Sequence, residues 1–209
     1  MKNQVLKYFL IAAAIIVLDQ VVKMLVHYNM ELGTKGQIPL LGSWFKLHYL
    51  TNPGMAFGMK LNFEYGKLFL TLFRIGAMFA IGYYLYSLIQ KEAPKGLLLC
   101  IALILGGAIG NLIDSIFYGI FLDNAPFNSP TPWFHGQVVD MFYIDIWQGY
   151  LPNWIPLLGG DYMALWPVFN IADSSIFVAI CLIIIFQKNY FKKDEDETPS
   201  ELELESTKE

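Results

Sequence analysis

Residues 96–118 read GLLLCIALILGGAIGNLIDSIFY, and the organisation of the whole chain follows from where that stretch sits. No charged side chain occurs in it before Asp114. A helix of this length, rising about 1.5 Å per residue, crosses the ~30 Å hydrocarbon core of a bilayer with every backbone amide bonded inside the segment. Three further stretches meet the same requirement: Tyr8–Val26, Tyr65–Ile89 and Pro167–Gln187, with Pro167 placed in the first turn, where its missing N–H costs a helix nothing. The predicted fold is therefore a membrane all-α one with four transmembrane helices.

Composition agrees with that placement. Of the 209 residues, 56% are hydrophobic and only 15% charged, whereas a water-facing domain carries roughly 25% charged residues. Disorder, collagen and disulfide scaffolds are excluded. Cys100 and Cys181 both lie inside apolar runs, where each acts as a small hydrophobe. Residues 1–187 hold ten acids and ten bases, while residues 188–209 hold eight acids and four bases, so the net charge of -4 belongs to the tail. The expected organisation is one membrane-embedded domain over 1–187, followed by an acidic, disordered cytoplasmic tail over 188–209. With no basic cluster, nucleic acid is not an expected partner. The N-terminal run has the look of a secretory signal, but it stays apolar through Ile15–Leu18, so it is read as a retained span.

Lysines choose the sides. Lys2 and Lys7, Lys91 and Lys95, and Lys188, Lys192 and Lys193 flank the spans at three places that fall on one side, whereas residues 119–166 contain no Lys or Arg. Both termini are thus expected in the cytoplasm, with two long loops outside. In the first loop Phe45, Leu47 and Tyr49 alternate with Lys46, His48 and Leu50, an edge-strand pattern turned by Asn52-Pro53-Gly54. The second carries eleven aromatic residues, including four of the five Trp, and is expected to lie flat on the outer membrane surface.

Ionisable groups inside a bilayer are costly and mark function by default. Asp19, Lys23, Arg74, Asp114 and Asp173 fall within the expected spans. Asp19 and Lys23 are four apart and can meet on one helix face, as a structural ion pair or as a substrate-orienting pair. Asn111 with Asp114, and Asn170 with Asp173, repeat the spacing Asn-x-x-Asp, which puts an amide beside each carboxylate near the outer helix ends. Asp140, between Val138-Val139 and Met141-Phe142, is expected to be partly desolvated, with a raised pKa. Two such acids near one another share a proton, so one takes a proton from water while the other gives one to a leaving group. Proton-coupled transporters also hold paired carboxylates in their spans, which keeps a small transporter as the alternative. His27, His48 and His135 lack metal-ligand spacing.

Five blocks in order resemble lipoprotein signal peptidase (signal peptidase II): Asp19 with Lys23; Asn52-Pro53-Gly54-Met55-Ala56-Phe57-Gly58; Gly106-Gly107-Ala108-Ile109-Gly110-Asn111-Leu112-Ile113-Asp114; Val138-Val139-Asp140; and Phe169-Asn170-Ile171-Ala172-Asp173-Ser174. The resemblance implies an aspartyl endopeptidase of the bacterial inner membrane that cuts prolipoproteins just before a diacylglyceryl-modified cysteine. It implies Asp140 and Asp173 as the catalytic dyad near the extracytoplasmic face, with Asn52, Gly54, Asn111, Asp114, Asn170 and Ala172 lining the site and no metal or cofactor. It also implies a small extracytoplasmic β cradle and a surface helix beside the four spans. Prolipoproteins and membrane lipids are the implied partners. Ser115 departs from the pattern, which has Arg there; Arg74, snorkelling from the second span toward Asp114, is the expected source of the missing charge. The outer loops around Asp140 are longer than the resemblance leads one to expect, and serve as a lid or as a wider membrane footing.

Overall fold

A computed structural model of the chain describes residues 2–53, 65–154, 159–160 and 162–191. Gly54 and the rest of its block, and the tail from Lys192 onward, lie outside the described residues. Helix α1 spans Lys2–Asn29, α2 spans Gly66–Gln90, and α3 spans Lys95–Ile113. A turn of π-helix, Asp114–Tyr118, and one more α turn, Gly119–Phe121, carry α3 onward as a single 27-residue apolar helix. Helix α4, Ile171–Ile185, has 15 residues, and Gln187–Tyr190 adds a further helical turn. Among the described residues, three helices are thus long and apolar enough to cross a membrane and one apolar helix is shorter.

The differences from the sequence reading have local causes. Pro167 stands outside α4, because Asn170 caps the helix: its side chain accepts from the Asp173 N–H, and the Asp173 side chain accepts from the Asn170 N–H. The Asn170–Asp173 spacing is therefore an N-cap geometry, not a mid-helix face. At the far end, residues 187–190 are helical and Tyr190 packs on the apolar core, so the part of the expected tail within that turn is structured.

Helix α3 is the central element, packing on α1, α2 and α4. Two adjacent glycines allow this. A side chain on Gly106 would come within 2.8 Å of the Ala12 carbonyl oxygen on α1, and one on Gly107 would strike Ala172 and Ser175 on α4. The inner half of the bundle is closed by an apolar cluster that includes Tyr8, Ala12, Leu85, Ile89, Leu98, Ala102 and Leu105. Large apolar side chains such as Leu10, Val17, Phe69, Phe73, Phe79 and Ile184 remain exposed on the helix exteriors, as a lipid-facing surface requires.

The opposite half carries a three-stranded antiparallel sheet in the order β1 (Ile38–Leu41), β2 (Phe45–Asn52), β3 (Val138–Ile144). The segment expected at an edge is thus its central strand. A two-stranded ribbon follows in β4 (Gln148–Tyr150) and β5 (Tyr162–Ala164), which pair antiparallel. Among the described residues the surface helix has no counterpart. Val26, Tyr49, Tyr118, Val139 and Met141 form a second buried cluster beneath the sheet. His27 meets the Tyr49 hydroxyl at 2.8 Å and fastens the end of α1 to β2.

Candidate active site

Three backbone arrangements bring the site together. The β2–β3 register sets Leu50 opposite Asp140 and Asn52 opposite Val138, so Asn52 and Asp140 are diagonal neighbours on one face. Phe142 then bridges to Phe169, each N–H bonding the other's carbonyl at 2.8 and 3.0 Å, which lays β3 alongside the approach to α4. Finally, α3 passes beside the N-terminus of α4 through the Gly107 contact.

The two acids meet through amides. Asn170 donates from Nδ2 to Asp140 Oδ1 at 2.7 Å and accepts the Asp173 N–H at 2.8 Å. Asn111 donates from Nδ2 to Asp173 Oδ1 at 2.7 Å. Asn52 donates from Nδ2 to Asp140 Oδ2 at 3.1 Å. Asp140 is buried, and burial above all, with the Asp173 charge next, pushes its carboxyl from the usual 3.8 up to about 7. The amides of Asn52 and Asn170 oppose that rise.

Beneath this rim lies a second knot of charges. Lys23 Nζ is 2.8 Å from Asp19 Oδ2 and 2.7 Å from Asp114 Oδ2, with all three side chains wholly excluded from solvent. It also donates to Asn111 Oδ1 at 2.9 Å. Each acid of the knot holds a piece of the rim in place: Asp19 accepts the Ala172 N–H at 2.9 Å, and Asp114 accepts the Val139 N–H at 3.1 Å. Burying three charges is tolerable only when they are paired and their remaining lone pairs bonded, as here.

A cavity of about 770 Å³ opens over the rim. Asn52, Arg74, Asn111, Asp140, Asp173 and Ser174 contribute its polar wall. Leu165, Trp166, Phe169, Ile176, Phe177 and Ile180 line the rest. Ile180 lies two helical turns beyond Asp173 on α4, so the apolar wall runs about 10 Å along that helix away from the carboxylates. Asp19, Lys23, Asp114, Asn170 and Ala172 are not among the cavity's lining residues. The expected set thus divides into residues that line the cavity and residues that brace them. The pair a transporter would use is split by the same division, since Asp173 is on the wall while Asp114 is ion-paired below it.

Arg74 reaches Ser115, donating from Nη1 to Oγ at 3.1 Å, and also lines the cavity. Ser115 passes the contact on by donating to the Asn111 carbonyl at 3.1 Å. Three participants are missing from the sequence reading. Gln20 donates to Asp114 Oδ1 at 2.9 Å and to Asp19 Oδ2 at 3.2 Å, and accepts from the Tyr118 hydroxyl at 2.9 Å. Lys67, on the first turn of α2, donates to the Pro53 carbonyl. An amide and a phenol in apolar runs, and a lysine at the start of a span, were visible signals, but neither kind of group is charged and central enough to stand out. Among the described residues no three His, Cys, Asp or Glu side chains converge as a metal-ligating set.

Residues 11–188 match the family model described as signal peptidase (SPase) II. The lipoprotein signal peptidase of Amoebophilus asiaticus is 50% identical over 186 residues, covering 88% of this chain and 79% of that one. That of Porphyromonas gingivalis is 43% identical over 190 residues, covering 84% and 81%. A bacterial membrane enzyme solved by the in meso method at 1.9 Å resolution superposes with a TM-score of 0.58 at 25% identity, over 87% of this chain and 92% of the other. With a family match over nearly the whole membrane body and relatives at this identity, the chain belongs to the signal peptidase II family of proteases.

Proposed function

We propose that this protein is an aspartic endopeptidase that removes the signal peptide from diacylglyceryl-modified prolipoproteins, cleaving just before the lipidated cysteine. The observation that carries the reading is the Asn170 amide, which ties Asp140 to the N-terminus of the helix that presents Asp173, on the wall of a cavity polar at the carboxylates and apolar along α4. A lipid-modified peptide has the same two-part character: a backbone to be cut and acyl chains that stay in hydrocarbon.

The two carboxyls share one proton, with Asp140 held up to about 7 by burial and by the Asp173 charge; in this reading Asp140 gives that proton and Asp173 is the base. Asp173 takes a proton from water as the water oxygen adds to the scissile carbonyl carbon, and Asp140 gives its proton to the carbonyl oxygen. The C–N bond then breaks as Asp173 returns a proton to the leaving amine and one hydroxyl of the tetrahedral intermediate returns a proton to Asp140. Asn52, Asn111 and Asn170 fix the carboxyl groups, and Asn52 and Asn111, on the cavity wall, also orient the substrate backbone. Gly54 belongs to the same substrate-binding set. Asp19, Lys23, Asp114 and Ala172 act from below by holding those groups in place, and Arg74 supplies positive charge beside Ser115. No metal or cofactor takes part.

In this reading all four helices cross the bacterial inner membrane, α4 together with its following turn, with both termini cytoplasmic and the dyad near the extracytoplasmic face. Residues 1–187 form one peptidase domain and 188–209 a cytoplasmic tail. The small sheet is the cradle that presents Asp140, and the aromatic outer loop rests on the membrane surface. Purified protein incubated with a lipid-modified preprolipoprotein is expected to release the signal peptide, and a precursor lacking the diacylglyceryl group is expected to stay intact. Equal cleavage of both would remove the lipid from the substrate definition.

A further inference from the structure

Helix α2 makes polar contacts with three outer segments through one face. Lys67 Nζ donates to the Pro53 carbonyl at 2.6 Å and lies 3.4 Å from Ser115 Oγ. One turn on, Thr71 donates to the Phe134 carbonyl at 2.9 Å. After another turn Arg74 donates to Ser115 Oγ. Lys67, Thr71 and Arg74 are four and three residues apart, so they share a helix face.

The Lys67 contact falls at a sensitive place. Asn52 is the last residue of β2, and its pairing with Val138 is the last rung of that ladder. From there the position of the chain depends on what holds Pro53. Proline has no N–H to give, so its carbonyl is the group by which the backbone can be fixed here. The Nζ donor at 2.6 Å makes that a short hydrogen bond. Through the adjacent residue, the same bond sets where the Asn52 amide stands against Asp140 Oδ2. On its other side Lys67 approaches Ser115, whose hydroxyl donates to the Asn111 carbonyl, and the Asn111 side chain donates to Asp173. Lys67 thus stands between the supports of both acids.

We propose that Lys67 is a positioning residue of the cleavage reaction: by gripping the Pro53 carbonyl it locks Asn52 onto Asp140 and so governs the chemical step rather than substrate binding. This rests on the peptidase reading given above. Cleavage by the parent protein, and its loss in Asp173→Asn, tests that reading separately in the same assay.

The test is a double-mutant cycle on steady-state cleavage of a lipid-modified precursor peptide, using Lys67→Met, Asn52→Ala and the pair, with Lys67→Arg as the conservative variant. Misplacing a catalytic group by about 1 Å costs on the order of 10²-fold. Lys67→Met is therefore expected to lower kcat by about 10- to 100-fold with KM within about threefold. Lys67→Arg should recover most of that loss. In the Asn52→Ala background the same Lys67→Met change should alter kcat by less than about twofold, because residues acting through one another are not additive. Should Lys67→Met fail to accumulate in the membrane, Lys67→Gln, which keeps a neutral donor for Pro53, is read in the same cycle. A kcat within twofold of the parent, a change confined to KM, or an equal loss of kcat in both backgrounds would overturn the proposal.

Discussion

The molecule holds two clusters of aspartates joined through Asn111, which bonds both Lys23 and Asp173, and they are built on opposite principles. In the lower knot Asp19 and Asp114 both meet Lys23 at ion-pair distance, with Gln20 bonding each carboxylate as well. In the rim Asp140 and Asp173 are held by the amides of Asn52, Asn111 and Asn170. A carboxylate paired with a buried cation is well placed to serve as a bracket. A buried carboxyl held by neutral donors beside another acid is placed for proton exchange. In the proposed function that difference divides similar residues, all in or beside apolar surroundings, into support and chemistry.

The sharpest way to break that division is to remove the cation. Lys23→Met leaves Asp19 and Asp114 buried without their partner, a loss of about 3–5 kcal/mol. A large fall in the thermal midpoint in detergent is expected; an unchanged midpoint with lost cleavage would move Lys23 into the rim's class. Next in size is Asn170→Ala, which removes the link to Asp140 and the cap of α4. Activity should fall about 10²-fold, while the lost cap costs only about 1 kcal/mol, so cleavage and stability should separate.

The third prediction concerns protons. Asp140 is raised from 3.8 to about 7, so between those values the folded protein holds a proton that the unfolded chain has released. Stability from this group is therefore lost as pH rises toward 7. The thermal midpoint of Asp140→Asn should gain on that of the parent between pH 5 and about 8, and cleavage by the parent should decline as pH rises through about 7. A midpoint difference that is flat with pH would remove the raised carboxyl. The smallest effect is Gln20→Ala, which leaves Asp114 with Lys23 and Val139 N–H but removes one neutral donor, a cost of about 1–2 kcal/mol seen in the midpoint.

Much of this was legible in the chain itself, because apolar length and retained charge are one-dimensional signals. The long helices fall within a few residues of the expected limits, and the first overruns them at Lys2–Lys7 and His27–Asn29, where polar residues continue a helix that hydropathy does not register. The burial of Asp140 was legible from its apolar neighbours. What stayed hidden was set by tertiary contact. Nothing local announces that β2 is a central strand, since its pairing with β3 joins segments far apart in the chain. Nor does local sequence show that Asn170 ends the helix before Pro167, because a capping box and a mid-helix pair share the same three-residue spacing. The division of the charged residues into knot and rim needed the Lys23 contacts, which join α1 to α3.

The central claim is that Asp140 and Asp173 together cleave a lipid-modified precursor. It is tested most directly by measuring signal-peptide release from a diacylglyceryl-modified preprolipoprotein by the parent, Asp140→Asn and Asp173→Asn proteins in the same membranes. The account predicts release by the parent and a loss of about 10³-fold or more in each variant, with all three proteins inserted in equal amounts. Release by either variant within about tenfold of the parent would contradict it.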